Sequence, residues 1–389
     1  MNKKVLTIIT RLNVGGATKH VTWLSAGLNH IGWSGLLVCG LVEDDEDDMA
    51  KFATDHSLEV QYLKSLKRSI DFRNDFIAIR DIYKLLCRYK PSIVDTHMSK
   101  AGLVGRIAVM SYNLVHGDKI KTVHTFHGHT FHGYFSPIKE KIFLWIERFL
   151  ARFGTDVIIT ISPQQQTEIL DTYKVGCRSQ HRQINLGIDI SFANSLNKFT
   201  LRKELHITND SKVFGIVGRI AEIKNHRLFI DSAREFRVRN PDSNVHFVII
   251  GDGEKSYVDG LKQYASDIPS LIFAGNITNP SDFYGALDYL VLTSNNEGTP
   301  VSILEAFACG IPVVSTCVGG VIDLIGKNER GLLVAADSIQ IADAYAQMLQ
   351  TDHTVTTTRA RQFVEEHYSV SGLVNKIDNL YHELVGEKL

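Results

Sequence analysis

Two glutamates lie eight positions apart around a marked helix start near residue 300. Thr299 has the side chain of an N-cap and Pro300 suits the first helical position, so we expect free backbone N–H groups and a positive dipole end there. A helix start of this kind holds an anion such as a diphosphate. Glu297 on the loop and Glu305 in the helix would flank that anion and accept hydrogen bonds from sugar hydroxyls. The residues predicted to bind such a ligand are Glu297, Gly298, Thr299, Pro300, Val301 and Glu305.

The surrounding pattern indicates one βαβ unit. Residues 289–293 form an apolar run typical of a buried strand, and residues 310–316 predict a turn and a second strand. Open α/β sheets bind ligands in the loops at the carboxyl ends of their strands, which is where Glu297 would lie. An isolated glutamate pair more often supports a helix dipole or a solvated face. With its surroundings included, the pattern favours a nucleotide-sugar site.

Two cations occur in a second loop of the same kind. Residues 213–217 predict a strand, and Arg219 and Lys224 follow it on the way to the next helix. They could neutralise a diphosphate and stabilise the charge that grows on it when a sugar departs. The alternative is that both are ordinary surface cations. Gly15 and Gly16 follow the first predicted strand similarly, and neither loop completes GxGxxG, so a nicotinamide fingerprint is missing.

Four histidines crowd one strand end and the loop after it: His124, His127, His129 and His132. A neutral imidazole within reach of a substrate hydroxyl or a transferred proton is the favoured interpretation, and His127 is preferred because Gly128 permits close backbone approach. Zinc ligation is the alternative, but no carboxylate or cysteine partner lies at a familiar spacing. The acidic residues 43–48 contain a DxD motif, which can mark a metal-held diphosphate, but a run of six acids is more typical of a solvated loop. We therefore predict no essential metal and no cofactor.

Composition narrows the class of protein. The 389 residues, 44% of them hydrophobic, suffice for two domains with separate cores. A net charge of −1 excludes bulk nucleic-acid binding, which needs a concentrated basic face. Five scattered cysteines without a CxxC spacing fit a reducing cytoplasm. No apolar run approaches the roughly 20 residues of a membrane span, so we expect a soluble or peripheral protein.

Strand-like and helical patterns alternate along the chain and then restart near residue 213. This alternation predicts α/β architecture with doubly wound parallel sheets in two Rossmann-like domains. The polar stretch at 194–200 is the best boundary. We therefore expect an N-terminal domain over 1–193 and a C-terminal domain over 194–369, followed by a helical segment over 370–389.

Two segments suggest contact with a surface. Residues 64–90 are rich in lysine and arginine, and residues 135–153 interleave basic side chains with aromatic ones. Basic amphipathic helices can lie on anionic lipid. We expect most of these aromatic side chains in the core, and peripheral contact with an anionic membrane remains an alternative.

The ordered set of motifs resembles the retaining glycosyltransferases of family 4, which have the GT-B fold of two Rossmann-like domains facing across a cleft. The matching pieces extend over essentially the whole chain: Gly15-Gly16, 97–102, His127-Gly128, 187–189, 217–219, Lys224-Asn225, 251–253 and 297–305. The set is specific although most of its members are weak alone. The resemblance implies a hexosyltransferase that retains the anomeric configuration and needs no metal.

The resemblance also assigns roles on the donor side. Arg219 and Lys224 would hold the donor diphosphate, and Glu305 would bind the ribose hydroxyls. Glu297 would bind the transferred sugar, and Ile277 would contact the base. By this likeness the donor binds mainly to the C-terminal domain.

On the acceptor side, the resemblance assigns the N-terminal domain. Gly15 and Gly16 would approach the phosphates or the acceptor, and His127 would contact the donor sugar. The catalytic group thus comprises His127, Arg219, Lys224 and Glu297. The final helix, roughly 370–385, would cross back to the N-terminal domain.

Residues 97–102 with the histidine-rich loop look similar to family members that build bacterial cell-surface polysaccharides on polyprenyl-diphosphate-linked sugars. This likeness implies a nucleotide-sugar donor, expected to be UDP-linked, and a lipid-linked glycan acceptor. It implies a place at the cytoplasmic face of the cell membrane. Two alternatives stay open: a UDP-sugar 2-epimerase of GT-B shape, and a non-catalytic assembly subunit.

Overall fold

The computed structural model describes residues 3–13, 15–42, 48–69, 71–117, 119–127 and 137–386. The chain divides into two compact units, Met1–Ile188 with Val370–Leu389, and Asp189–Ser369. The division falls just before the short 3-10 helix Ser191–Ser195, which contains the expected boundary. Most of the acidic run (43–47) and the histidines at 129 and 132 lie outside the described residues.

The first unit contains seven strands and seven of the α-helices among the described residues. The strands are β1 Lys4–Arg11, β2 Ser34–Gly40, β3 Val60–Tyr62, β4 Ile93–His97, β5 Lys121–Phe126, β6 Val157–Thr160 and β7 His181–Gln183. The helices are α1 Gly16–His30, α2 Ala50–Asp55, α3 Phe72–Tyr89, α4 Ser99–Val115, α5 Pro137–Gly154, α6 Pro163–Thr167 and, at the end of the chain, α15 Val370–Val385. A π-helical turn, Glu168–Thr172, extends α6.

The sheet of the first unit is parallel in the order β3-β2-β1-β4-β5-β6-β7. Side chains of β1 alternate between its two faces, as the two-residue period of a strand requires. Leu6 and Ile8 pack with residues of α3 and α4, whereas Val5 packs with residues of α1 and α15. Both faces are therefore covered by helices, which explains why the inner strands β1, β4 and β5 are buried along almost their whole length.

The second unit contains six strands and eight α-helices. The strands are β8 Lys212–Val217, β9 Val245–Ile250, β10 Leu271–Gly275, β11 Tyr289–Leu292, β12 Val313–Thr316 and β13 Leu332–Val334. The helices are α7 Thr200–Glu204, α8 His226–Arg239, α9 Lys255–Tyr264, α10 Pro280–Ala286, α11 Val301–Ala308, α12 Val321–Ile325, α13 Ser338–Gln350 and α14 Thr354–His367.

The second sheet is also parallel, in the order β10-β9-β8-β11-β12-β13. Phe214 and Phe247 of its central strands pack with Phe236 of α8 and Tyr345 of α13. The prediction of two doubly wound parallel sheets is confirmed. In each sheet the strand order reverses beside the first strand, between β1 and β4 and between β8 and β11, and ligands of such sheets bind at these switch points.

The aromatic side chains of α5 contradict one expectation. Trp145, Phe149 and Phe153 are 67%, 42% and 60% exposed, so the prediction that they belong to the core is wrong. The reason is that α5 is apolar on more than one face, and Leu150 and Ala151 supply the buried one. Within the described parts of the chain, no helix is both long and apolar enough to cross a bilayer.

Candidate functional site

Two loops at the switch point of the second unit are fastened to each other. The loop after β8 contains Lys224, and its backbone oxygen accepts a hydrogen bond from Thr293 Oγ1 at 3.1 Å. Asn225 O accepts from the same hydroxyl at 3.0 Å, and Asn295 N donates to Ile223 O at 2.8 Å. Residues some seventy positions apart are thereby held in one fixed arrangement.

An ion pair joins these loops through their side chains. Lys224 Nζ lies 2.6 Å from Glu297 Oε1, and Ser294 Oγ donates to the same oxygen at 2.6 Å. The side chains of Lys224 and Glu297 are 23% and 12% exposed, so a ligand can still reach them. Arg219 on the same loop is exposed and makes no ion pair within the described residues. The two joined loops therefore carry the Lys224–Glu297 pair and a second cation, Arg219, at this edge.

The helix start near residue 300 differs from its prediction. Thr299 is not the N-cap: α11 begins at Val301, and Pro300 is the cap residue, with extended backbone at φ −70° and ψ 111°. The Pro300 carbonyl accepts from Ile303 N and Leu304 N at 3.2 and 3.5 Å, as the carbonyl of a cap residue does. A ψ of 111° is not helical, so Pro300 cannot be the first helical residue. Gly298 and Thr299 lead into this start, whose first-turn N–H groups remain donors for an anion.

Glu305 is buried, which excludes a solvated face for it. The residue is 6% exposed, and its Oε2 accepts a hydrogen bond from Tyr284 Oη at 2.7 Å. Burial raises the pKa of Tyr284 well above its usual value, and the neighbouring Glu305 charge adds to that shift. Tyr284 therefore remains a neutral donor that orients the carboxylate. Sequence reasoning missed Tyr284, because nothing in the pattern of α10 marks it.

Glycines let the neighbouring loops approach these residues. Gly320 N donates to Glu297 O at 3.0 Å, and a Cβ at Gly320 would overlap Gly298 O. Gly319 has a positive φ of 48°, and a Cβ there would overlap Glu297 O. Gly319 and Gly320, which follow β12, therefore let their backbone pack directly against the backbone of the Glu297 loop.

The remaining loops of this edge are also connected. Gly218 N donates to Ile250 O at 2.9 Å, and Gly251 N donates to Gly275 O at 2.8 Å. Ile277 lies two residues further on and is half-buried. The loops after β8, β9 and β10 thus run side by side, and Ile277 belongs to the same edge as Arg219.

A second set of candidates lies at the switch point of the first unit. Gly15 is the exposed cap residue of α1, and Gly16 is its first residue. His20 of α1 and His97 at the end of β4 come together with His127, which follows β5. His97 Nδ1 lies 3.0 Å from His127 Nε2. Sequence reasoning did not connect His20 with this group.

Burial keeps two of these imidazoles neutral. It lowers the pKa of His20 to about 3, with the neighbouring His97 adding to the shift, and it lowers the pKa of His127 well below its usual value. His97 Nε2 is 3.3 Å from Asp95 Oδ2, which also accepts a hydrogen bond from Tyr381 Oη at 2.7 Å. A neutral His127 can exchange hydrogen bonds with a hydroxyl at ordinary pH.

The same three histidines are the described residues best arranged for a metal. One ring nitrogen from each of His20, His97 and His127 lies within 4.8 Å of the others. Three imidazoles with a carboxylate behind one of them are a known type of ligand set. Sequence spacing alone could not show this set, because its members come from three separate elements.

Family models match both units of the chain. The model described as a glycosyl transferase 4-like domain matches residues 15–179, and the model described as glycosyl transferases group 1 matches residues 211–351. Together they cover more than half of the chain, and each contains one switch-point edge.

Curated relatives and solved structures agree with the models. The chain is 29% identical over 86% of its length, and 86% of the relative's, to an Escherichia coli UDP-Gal:alpha-D-GlcNAc-diphosphoundecaprenol alpha-1,3-galactosyltransferase. It is 24% identical to the capsular polysaccharide biosynthesis glycosyltransferase CapM of Staphylococcus aureus, over 85% of this chain and 86% of that one.

Among solved structures, Anabaena HepE in complex with UDP and glucose has a TM-score of 0.77 and 18% identity. The match covers 97% of this chain and 98% of HepE. At that identity the likeness concerns the fold, which is GT-B, in agreement with the prediction. Together with the two family models, these relatives identify the chain as a member of the glycosyltransferases, with a glycosyl transferase 4-like domain followed by a group 1 domain.

Proposed function

We propose that this glycosyltransferase moves a sugar from a UDP-sugar to a lipid-linked glycan during the synthesis of a surface polysaccharide. The E. coli relative is named for UDP-Gal and for an acceptor linked to diphosphoundecaprenol, and the S. aureus relative is named for capsular polysaccharide. The observation that carries the proposal is the Lys224–Glu297 pair at the switch point of the second unit.

In this proposal the donor binds along the carboxyl edge of the second sheet. Arg219 and Lys224 hold the diphosphate, aided by the N–H groups at the start of α11. Glu305, oriented by Tyr284, accepts hydrogen bonds from the ribose hydroxyls, and Ile277 contacts the base. Arg219, Lys224 and Ile277 belong to loops at the edge where open α/β sheets bind nucleotides, and Glu305 lies in the second turn of α11, which begins at that edge.

Glu297 is assigned to the transferred sugar. Its carboxylate is anchored by Lys224 and Ser294 through one oxygen, so the other oxygen has capacity for a sugar hydroxyl. The ion pair of Lys224 and Glu297, with the Ser294 hydroxyl bonded to the carboxylate, forms a preorganised site, which loses little entropy when the ligand arrives.

We further propose transfer with retention and without an essential metal. The bond from the anomeric carbon to the β-phosphate oxygen breaks, and the acceptor oxygen forms the new bond on the same face of the sugar. The acceptor's proton passes to the departing diphosphate oxygen. Arg219 and Lys224 supply the positive charge that the leaving group needs in the transition state, a role that a metal ion fills in other transferases.

The residues of the first unit complete the assignment. Neutral His127 is proposed to hydrogen-bond a sugar hydroxyl, with His97 fixing its ring. Gly15 and Gly16 leave the start of α1 open to a phosphate or to the acceptor. Because the acceptor is lipid-linked in this proposal, we place the enzyme at the cytoplasmic face of the membrane.

The proposal is tested by measuring binding of UDP-, GDP- and ADP-sugars, with magnesium, with zinc and with a chelator. We expect one UDP-sugar to bind equally under all three conditions and to be consumed when an undecaprenyl-diphosphate-linked sugar is added, giving a product of unchanged anomeric configuration. Loss of binding or turnover with the chelator would remove the metal-free mechanism.

Two other outcomes would replace the proposal. An epimerised sugar nucleotide formed without any acceptor would establish a UDP-sugar 2-epimerase. Failure to bind any nucleotide sugar would indicate a non-catalytic assembly subunit.

A further inference from the structure

An apolar stripe lies on the solvent side of α5 in the first unit. Five large side chains recur at the spacing of one helix face, and all are exposed: Ile138, Ile142, Trp145, Phe149 and Phe153. Their exposed fractions range from 42% at Phe149 to 73% at Ile138. Its three aromatic rings follow one another along the stripe, with neighbouring centroids 6.0 and 5.0 Å apart. A contiguous exposed patch of this kind marks a contact surface.

The opposite face of α5 already supplies the contacts that the fold needs. Leu150 and Ala151 are buried, and Ala151 packs with Phe126 in a core cluster. Glu147 is buried against Arg106 of α4, with Nη2 and Oε2 2.7 Å apart. Removing apolar atoms from the stripe should therefore leave the unit folded.

The charges of α5 select the partner. Among its described side chains, the exposed charged ones are all cations: Lys139, Lys141, Arg148 and Arg152. Of its two acids, Glu140 is half-buried and Glu147 is buried in the ion pair with Arg106. A helix with an aromatic stripe bordered by cations fits an anionic bilayer surface, where the stripe enters the acyl boundary and the cations meet the headgroups. Tryptophan is favoured at that depth.

A second exposed pair extends the same layer. Phe72 and Phe76 at the start of α3 are 88% and 70% exposed, and Arg73 lies between them. Both α3 and α5 pack on α4. The two helices thus cover the same side of the sheet.

We propose that α5 docks the first unit on an anionic lipid bilayer, with the stripe in the interface and the bordering cations against the headgroups. The helix is 18 residues long, about 27 Å, and lies along the surface without crossing it. The inference deepens the proposed function and rests on it only for its purpose, which is to bring the enzyme to a lipid-linked acceptor.

Binding to vesicles tests the surface without requiring any transfer. The full chain is sedimented with vesicles of equal parts phosphatidylcholine and phosphatidylglycerol, and with phosphatidylcholine alone. We expect binding to the anionic vesicles, with a blue shift of tryptophan fluorescence that depends on Trp145, one of three tryptophans in the chain. The triple variant Ile142→Ser/Trp145→Ser/Phe149→Ser should lose tenfold or more in partitioning, roughly, from its lost apolar area. Lys139→Gln and Lys141→Gln should each lose about fivefold.

The matched controls are Val238→Ser and Lys255→Gln, exposed residues of the second unit. They should bind as the parent does, and all variants should bind the same UDP-sugar as the parent. Unchanged vesicle binding in the triple variant would overturn the proposal. So would a concentration-dependent dimer of the parent that does not form in the triple variant, since the stripe would then contact a second copy of the chain. UDP-sugar binding separates the two proposals. If the parent binds anionic vesicles but no UDP-sugar, only the proposed function fails.

Discussion

The pair between Lys224 and Glu297 predicts that removing one negative charge strengthens nucleotide binding. Glu297 Oε1 lies 2.6 Å from Lys224 Nζ in the ligand-free chain. If the diphosphate of UDP binds Lys224, it competes with that carboxylate for the same ammonium group. Glu297→Gln should therefore raise the affinity for UDP, while the loss of the sugar-binding carboxylate lowers the rate of transfer.

The structure sets the size of the effect. A hydrogen bond between charged partners contributes about 1.5–3 kcal/mol. Both side chains keep some exposure, 23% for Lys224 and 12% for Glu297, so water screens part of their attraction. The lower bound of about 1.5 kcal/mol corresponds to a roughly tenfold lower Kd for UDP. Glutamine keeps the shape of Glu297 and an acceptor for Ser294, so the loop should be preserved.

Calorimetric titration with UDP measures this difference directly. The matched control is Glu222→Gln, which removes the same charge from an exposed position on the same loop as Lys224 and should change the affinity much less. Raising the salt concentration should shrink the advantage of Glu297→Gln, because added ions screen the competing charges. An affinity for UDP that is unchanged or weaker in Glu297→Gln would refute the assignment of Lys224 to the diphosphate.

Three further changes probe the support of the site and its pH dependence. Tyr284→Phe removes the hydroxyl that donates to Glu305 at 2.7 Å. Thermal denaturation should therefore show a free energy of unfolding that is lower by about 1.5–3 kcal/mol, and calorimetry should show weaker UDP binding. An unaffected UDP affinity would separate Glu305 from the ribose. Gly320→Ala places a Cβ on the Gly298 carbonyl and should raise the Kd for the UDP-sugar by about tenfold or more; Gly260→Ala, with nothing near its new carbon, should not. His226 is 1% exposed, and burial lowers its pKa to about 4. Between pH 6.5 and 4 its imidazole is therefore protonated in the unfolded chain but neutral in the folded one. The free energy of unfolding should therefore fall by up to about 3 kcal/mol as the pH drops from 6.5 to 4, relative to His226→Gln, and parallel pH profiles of the two proteins would contradict this.

The sequence by itself determined the two parallel sheets. Runs of strand length that are rich in apolar residues, such as β1 and β9, alternate with helical patterns, and helices on both faces of each sheet bury such runs. The same local patterns placed Lys224 and Glu297 in loops after strands. These features depend on backbone periodicity, which a sequence displays directly.

The helix start at residue 300 shows how far local rules extend. The sequence located the start to within one residue, but it assigned the cap to Thr299 and the first helical position to Pro300. The structure makes Pro300 the cap, because its ψ of 111° lies outside the helical region. Residue preferences at helix ends are broad enough that either assignment satisfied them.

Only the tertiary structure decided which distant side chains meet. Tyr284 reaches Glu305, and His20 reaches His97 and His127, because the order of the strands brings their elements together. No local spacing records such an encounter.

The orientation of α5 has the same cause. Its sequence shows apolar residues on more than one face, and periodicity cannot say which of them the sheet will cover. In the packed unit Leu150 and Ala151 are buried, whereas Trp145 and Phe149 are exposed. Glu147 lies on the buried side, where it pairs with Arg106 of α4. The sequence thus determined the elements and the chemistry that they carry, whereas the contacts between elements decided which of those side chains form a site and which face a partner.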